Sequence, residues 1–230
     1  MDIKRTNSAM DATTVRFWFH KLGRAKFISH LDLMRAMTRT LRIARLPLWY
    51  TEGFHPHLYL TFGQPLSLGF ESDCECMEVR FTAPYDWEEA KNKLNALLPP
   101  GLQMDRVGPA EPPLEGIAYS EYVVSLSFDA PVEDLAARWQ AFAAQETLLT
   151  EKKSKKGVLT VDLRPHLQVV FTAAEPDQLV LGLQLPSSQT LHINPTLVTK
   201  LFLAFLGRDD CVTQVRKTRV LDSDRNDFAR

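Results

Sequence analysis

The order of its hydrophobic patterns constrains the fold of this chain more than any single motif does. In its first half, segments of period two predict strands and segments of helical period predict helices. In chain order they are strand 15–23 (VRFWFHKLG), a helix that begins at Ser29, strands 58–62 (LYLTF) and 76–83 (CMEVRFTA), helix 86–98 (DWEEAKNKLNALL) and strand 102–107 (LQMDRV). The pattern therefore predicts strand, helix, strand, strand, helix, strand.

The second half repeats this order with one strand more than the first. Its segments are strand 120–128, helix 131–145, strands 158–163, 167–173 and 179–185, helix 194–207 and strand 212–221. Asn194 and Pro195 are typical of a helix start, and Gly207 is typical of a helix end. The pattern does not indicate which of the three middle strands is the additional one.

The repeated order predicts an α+β fold of two tandem ferredoxin-like (split βαβ) halves, each with an antiparallel sheet and helices on one face. Residues 13–107 form the first half and residues 117–222 the second. The stretch 108–116, GPAEPPLEG, has the composition of a linker. We expect residues 1–12 to be a disordered lead-in and residues 223–230 to be a polar tail.

Composition narrows the class of protein. The 230 residues are 45% hydrophobic, which is enough for a sizeable core. The net charge of −1, from 27 basic and 28 acidic residues, favours no particular partner. The three cysteines do not suggest a disulfide framework, and no apolar run approaches the roughly 20 residues of a membrane span. The first dozen residues lack the apolar segment of a signal peptide, so we expect a cytoplasmic protein without a membrane partner.

Positive charge is concentrated around the first predicted helix. Ser29 and Asp32 resemble a helix cap, and Arg35, Arg39 and Arg42 are spaced to share one helical face. Eight basic residues against one acid give +7 over residues 16–45; the basic ones are Arg16, Lys21, Arg24, Lys26, Arg35, Arg39, Arg42 and Arg45. Arginine favours phosphate and carboxylate partners, so this face predicts an anion-binding site.

A structural alternative explains the same charges. Residues 71–89 contain seven acids and one arginine, a local charge of −6. These acids would neutralise the arginine face if they lie across the sheet from it, which would leave a solvated surface.

The segment from Tyr50 to Ser72, YTEGFHPHLYLTFGQPLSLGFES, follows the arginine helix and predicts a binding loop. Phe54, His57 and Tyr59 offer rings on which unpaired bases stack, and Gly53 permits close approach of the backbone to a ligand. The complete candidate binding set is Arg24, Lys26, Ser29, His30, Arg35, Arg39, Arg42, Tyr50, Gly53, Phe54, His55, His57 and Tyr59.

Two alternatives use the same loop differently. His55 and His57, together with Cys74 and Cys76, have the composition of a four-ligand zinc site, although neither spacing is the usual one. Otherwise they are a loop histidine pair and two partly buried thiols, and we expect no cofactor. His30 or His57 would serve as a general base in a catalytic site, because imidazole titrates near neutrality. No nucleophile is marked by sequence beside either histidine, so a structural role is the simpler interpretation.

Several motifs resemble a bacterial family, the radical-SAM-linked proteins of unknown function. They are GRAKFISHLDLMR at 23–35, GFHP at 53–56 and PLSLGFES at 65–72, with VDLRP at 161–165 as a further match. Ser67 stands where the family pattern usually has proline. The resemblance implies a protein encoded beside, or fused to, a radical SAM enzyme, and implies no known reaction. The chain lacks the three-cysteine cluster motif CxxxCxxC, so it is not the radical enzyme itself.

The leading hypothesis is a non-catalytic accessory protein that presents an anionic substrate, such as RNA, to a radical SAM enzyme. One alternative is a metal-independent endoribonuclease that uses His30 or His57 as its base. A second alternative is a protein–protein adaptor that binds no nucleic acid.

Overall fold

The structure, a computed structural model, describes residues 12–154 and 157–228. It is a mixed α+β protein whose strands pair mostly antiparallel, and it divides after Leu114 into two compact units. This division falls within the segment that composition marks as a linker, although Gly108 and Pro109 end a strand. The predicted lead-in, apart from residue 12, and the last two residues of the predicted tail lie outside the described residues.

Over residues 12–114, the first unit contains four strands and two α-helices. They are β1 (Thr13–Lys21), α1 (His30–Ile43), β2 (Leu60–Phe62), β3 (Glu71–Phe81), α2 (Trp87–Asn95) and β4 (Leu102–Pro109). A 3-10 turn, Gly23–Phe27, joins β1 to α1. The strands lie in the order β4-β1-β3-β2, and each neighbouring pair is antiparallel.

The alternation in β1 determines which face of this sheet is buried. Val15, Phe17 and Phe19 are fully buried in the core of the first unit. Residues of α1 and α2, including Met37 and Leu94, belong to the same core. Both helices therefore pack on one face of the sheet, as the period of two in β1 predicts.

Side chains cap both helix starts of the first unit, and the cap at Ser29 is the one that its spacing to Asp32 predicts. The backbone amide of Asp32 donates to the Ser29 hydroxyl at 3.2 Å, which caps α1. Asp86 accepts hydrogen bonds from the amides of Glu88 and Glu89, which caps α2. Capping side chains satisfy amides that have no partner inside the helix, so the sequence fixes both starts locally.

The second unit has the same core arrangement and one additional hairpin. Its elements are β5 (Tyr119–Phe128), α3 (Leu135–Ala143), β6 (Leu149–Ser154), β7 (Gly157–Asp162), β8 (Gln168–Glu175), β9 (Gln178–Pro186), α4 (Pro195–Leu206) and β10 (Cys211–Leu221). The main strands lie in the antiparallel order β10-β5-β9-β8, whereas β6 and β7 pair only with each other. The additional strand of the sequence pattern is therefore β7. It pairs with β6, a strand that the sequence pattern did not predict.

An aromatic cluster fills the helix side of the second unit. The ring centroids of Trp139 and Phe142 lie 5.1 and 5.3 Å from that of Phe202 on α4. Asn194 caps α4 by accepting from the amide of Thr196, as its position before Pro195 predicts. Within the described residues, no helix is both long and apolar enough to cross a membrane.

Candidate nucleic-acid interface

The arginines of α1 face solvent, as their spacing predicts. Arg35, Arg39 and Arg42 are all exposed. Arg35 donates to the Asp32 carboxylate at 3.0 Å, but both side chains are more than half exposed, so water screens the pair. The Ser29 hydroxyl bond, followed by the bond from Arg35, lowers the pKa of Asp32. Because the Ser29 hydroxyl is committed to Asp32, this candidate binding residue has a structural use in the helix cap.

The turn that carries Arg24 and Lys26 is anchored by its backbone. The amide of Leu22 donates to the carbonyl of Gly101 at 2.8 Å, and the buried Nζ of Lys21 donates to the carbonyl of Lys26 at 3.1 Å. Burial lowers the pKa of Lys21, and the negative charge of Glu75 acts in the opposite direction. Arg24 is exposed on this anchored turn.

Most of the acids in residues 71–89 that form ion pairs do so with basic residues outside the candidate binding set. They therefore do not neutralise the arginine face of α1. Their ion pairs are Glu78–Arg16 at 2.6 Å, Glu88–Lys91 at 2.6 Å, Glu89–Lys93 at 2.8 Å and Glu71–Lys26 at 4.0 Å. Among the described residues of the candidate binding set, Lys26 alone receives such a partner. Within residues 12–154 and 157–228, Arg24, Arg39, Arg42 and Arg45 form no ion pair with an acidic side chain.

A cavity of about 390 Å³ opens where α1 ends, and it brings two predicted binding residues together. Arg42 and Tyr50 line it together with Arg45 and Thr82, and the remaining lining is apolar. None of its lining residues is acidic. Its size lies within the usual range of small-ligand sites.

The backbone that shapes this cavity is unusual at Arg45. Arg45 has φ of 54°, the left-handed region, and it directly follows Ala44, the C-cap of α1. A side chain in this region costs about 1–2 kcal/mol, which is why glycine is the common residue at such helix ends. Beyond it, Thr82 donates from its amide and its hydroxyl to the Pro47 carbonyl at 2.8 and 3.1 Å, which closes the far wall.

Within the predicted binding loop, residues 51–57 form a turn that is closed by Thr51 and His57. The Thr51 amide donates to the His57 carbonyl at 2.8 Å, and the His57 amide donates to the Thr51 hydroxyl at 3.1 Å. Nδ1 of His57 also lies 2.9 Å from that hydroxyl. Gly53 has φ of 123°, which a side chain rarely adopts, and the Phe54 ring beside it is fully exposed. This exposed ring presents a flat surface on which an unpaired base can stack.

The other candidate residues of this region have visible structural contacts. His30 packs edge-on against Phe62 with centroids 5.4 Å apart, which holds the first turn of α1 against β2. Tyr59 lies 5.8 Å from Trp49, also edge-on. His30 and His57 therefore stand on different elements, each with a partner of its own, and the general-base hypothesis remains a prediction.

The four residues of the zinc alternative do not form a cluster. His55 and His57 are exposed in the loop, whereas Cys76 is buried on β3 and Cys74 is half-buried. In the described part of the chain, no group of three or more histidine, cysteine or acidic side chains is placed to hold a metal. The arrangement gives the zinc hypothesis no support.

Sequence reasoning missed a row of arginines and aromatic rings on the sheet. The guanidinium carbon of Arg106 lies 3.8 Å from the centre of the Trp18 ring, and that of Arg80 lies 4.3 Å from the Tyr59 ring and 5.4 Å from the Trp49 ring. The period of two that places Phe17 and Phe19 in the core also places Trp18 on the opposite face, so alternation was the available signal.

These observations define a mixed α+β protein with an exposed arginine face on its first helix and an acid-free cavity beside it. The chain belongs to the family described as "Uncharacterized protein conserved in bacteria (DUF2344)", whose profile matches residues 14–195. No curated protein matches the chain.

Three solved structures are similar in fold. The first is "Crystal Structure of a Cbf5-Nop10-Gar1 Complex", with 10% identity over 89% of this chain and 49% of that chain and a TM-score of 0.47. The second is "Structure of H/ACA RNP bound to a substrate RNA containing 2'-deoxyuridine", with 12% identity over 90% of this chain and 47% of that chain and a TM-score of 0.45. The third is "Crystal structure of the archaeal box H/ACA sRNP Nop10-Cbf5 complex", with 14% identity over 94% of this chain and 50% of that chain and a TM-score of 0.45. The aligned part is about half of each of those chains. Likeness at this level carries no argument about function.

Proposed function

We propose that the first unit binds single-stranded RNA, with Arg39, Arg42 and Arg45 contacting phosphates and with Tyr50 and Phe54 contacting bases. The observation that carries the proposal is the acid-free cavity lined by Arg42, Arg45 and Tyr50. Cationic and aromatic side chains meet there, and RNA offers phosphates to the first and flat bases to the second.

Single-stranded RNA fits this surface better than a duplex does. The bases of a duplex are stacked on each other, whereas the exposed Phe54 ring needs an unstacked base as its partner. Phosphate contacts fix position without reading sequence, so the arginine face predicts broad affinity for single strands.

The fold and the partner complete the proposal. Each unit has four antiparallel strands in the spatial order fourth, first, third, second when the β6–β7 hairpin is set aside, and this order supports two ferredoxin-like halves. The family motifs at 23–35 and 53–56 support an accessory role beside a radical SAM enzyme in the bacterial cytoplasm. In this role the protein would hold RNA for an enzyme that modifies it.

Binding is tested with a short fluorescent single-stranded RNA and anisotropy at low salt. Arg39→Gln/Arg42→Gln should lower affinity at least about tenfold, because hydrogen bonds to charged groups contribute about 1.5–3 kcal/mol each. The matched control, Lys91→Gln/Lys93→Gln, makes the same change in net charge on α2, where both lysines pair with glutamates. Equal affinities for the two double variants would contradict the proposal.

The partner is tested by a tagged pull-down from the native host at low salt, with protein and RNA identified separately. A radical SAM enzyme together with specific RNA supports the accessory role. The enzyme without RNA would favour the adaptor hypothesis. RNA shortened after incubation with a chelator, and left intact by His57→Ala or His30→Ala, would favour the endoribonuclease hypothesis.

A further inference from the structure

The sheet of the first unit has a second face that the arginine helix does not touch. Phe17 on β1 and Val79 on β3 point into the helix-side core. Because side chains alternate along a strand, Arg16, Trp18 and Arg80 lie on the opposite face. This face therefore carries large cationic and aromatic side chains where a simple half-buried sheet would carry small polar ones.

These side chains form two stacked groups. Trp18 is directly opposite Arg106 in the β1–β4 register, and the Arg106 guanidinium lies 3.8 Å from its ring centre. Arg80 lies 4.3 Å from the Tyr59 ring and 5.4 Å from the Trp49 ring. We call this set the arginine–aromatic face, and it consists of Arg16, Trp18, Trp49, Tyr59, Arg80 and Arg106.

Two polar atoms on this face lack hydrogen-bond partners. Trp49 is only 9% exposed, and its Nε1 has no acceptor among the described residues. The Nε of Arg80 is also buried and also has no acceptor there. Buried donors are nearly always paired in folded proteins, so these two atoms are the points on this face where the described residues leave a donor without an acceptor.

Charge on this face favours an anionic ligand. Glu78 is paired with Arg16 at 2.6 Å, and Asp105 is paired with His20 at 2.9 Å. The positive charge of Arg80 meets no acidic side chain in the described part of the chain. The Glu78 charge is thus already matched by Arg16, and among the described residues the Tyr59 and Trp49 rings lie against the Arg80 guanidinium.

We propose that the arginine–aromatic face is a base-stacking site for unpaired RNA. Bases stack on the Trp18–Arg106 and Tyr59–Arg80 groups, because aromatic rings and guanidinium planes both present flat surfaces to a base. This inference rests on the proposed RNA function and deepens it by naming a second contact surface.

The chain connects this face to the cavity beside α1. Trp49 belongs to the arginine–aromatic face, and the next residue, Tyr50, lines the cavity. The Tyr59 amide donates to the Trp49 carbonyl at 3.2 Å, which holds Tyr59 beside the Trp49–Tyr50 segment. A strand whose phosphates lie on the arginines of α1 therefore reaches the stacking groups by passing the segment that contains Trp49 and Tyr50.

The test separates stacking from phosphate binding by salt dependence. Tyr59→Leu, Trp18→Leu and Arg106→Gln should each weaken binding of a short single-stranded RNA about tenfold, since stacking on one ring contributes on this scale. The slope of log affinity against log salt should stay unchanged for the two ring variants, because stacking releases no counterions. Tyr59→Phe, which keeps the ring, should bind within about twofold of the wild type.

Folding is controlled separately from binding. Arg106 is exposed on β4, so Arg106→Gln removes one stacking plane at little expected cost to the core. Melting curves for each variant identify any that is unfolded. The emission of Trp18 and Trp49 should also change when RNA stacks, and the emission change should shrink in Trp18→Leu.

The outcomes distinguish this inference from the proposed function. If the Leu and Gln variants bind like the wild type while Arg39→Gln/Arg42→Gln loses affinity, the stacking site is wrong and the RNA function stands. If the wild type binds no RNA at all, both are wrong. If a variant that melts normally loses capture of a protein partner and leaves RNA affinity unchanged, the face is a protein-docking surface and the stacking inference is overturned.

Discussion

Removing the unpaired arginines at the end of α1 should change how RNA affinity depends on salt. Arg39, Arg42 and Arg45 are exposed and form no ion pair with an acid among the described residues, so each is available for a phosphate. Each phosphate contact to a single strand contributes about 0.7 to the slope of log affinity against log salt. The variant Arg39→Gln/Arg42→Gln/Arg45→Gln should therefore have a slope smaller by about 2.

That slope translates into a measurable ratio. Between about 50 and about 200 mM salt, the wild type should lose about 20-fold more affinity than the triple variant loses. Anisotropy titrations at several salt concentrations measure both slopes. The difference in slope is more informative than affinity at one salt concentration, because a partly unfolded variant would bind less at every salt concentration.

The control changes the same net charge elsewhere. Lys91→Gln/Lys93→Gln/Arg208→Gln removes three cations that already pair with acids. Lys91 and Lys93 pair with glutamates on α2, and Arg208 pairs with Asp210. Its slope should match that of the wild type. Equal slopes for the wild type and both triple variants would refute the reasoning that exposure without an acidic partner marks the phosphate contacts.

Three further predictions concern backbone conformation and pH. Arg45→Gly should leave the free energy of unfolding unchanged or raise it by up to about 1 kcal/mol, because the arginine has a left-handed backbone conformation that glycine adopts without strain. RNA affinity should fall, because the substitution removes a cation. A loss of both stability and affinity in melting and binding assays would contradict this prediction. In urea unfolding, Gly101→Ala should destabilise the protein more than Gly53→Ala does. A Cβ at Gly101 would lie 2.3 Å from the Leu22 carbonyl oxygen. A Cβ at Gly53 would meet open space, so Gly53→Ala should lower the free energy of unfolding only by the cost of the strained backbone, about 1–3 kcal/mol. Hydrogen bonds from two backbone amides lower the pKa of Asp162. Its contribution to stability is therefore present above its ordinary pKa and is lost as pH falls through the lower pKa of the folded state. Melting curves of Asp162→Asn should lack this part of the acid-dependent loss of stability, and a variant with the acid profile of the wild type would contradict the prediction.

Local signals were sufficient for most of the elements. Ser29 and Asp86 cap their helices because the capping contact spans only a few residues, so sequence spacing alone predicts it. The alternation around Phe17 likewise predicts the buried face of β1. The pairing of β6 with β7 was not predictable, because an alternating segment such as VLTVDL shows that a strand forms without showing which strand it pairs with.

The site was predictable only in part, for the same reason. Helical spacing predicts that Arg39 and Arg42 share a solvent-facing surface. The cavity depends on the left-handed turn at Arg45 and on Thr82, which is far away in sequence and reaches the cavity through its contact with Pro47. Whether the acids of residues 71–89 cover the arginines of α1 depends on the strand register. That register places Glu78 opposite Arg16, on the face of the sheet away from α1.

The hairpin of β6 and β7 offers a place to attach a reporter. Its two ends meet, because Leu149 pairs with Asp162 and the Leu163 amide donates to the Leu148 carbonyl at 2.9 Å. The four-stranded ladder of the second unit forms without it. A short peptide tag or a fluorophore grafted between the two strands would therefore leave that ladder, and every residue of the proposed RNA surface, chemically unaltered. Such a labelled protein would carry its reporter without any substitution in the surface under test.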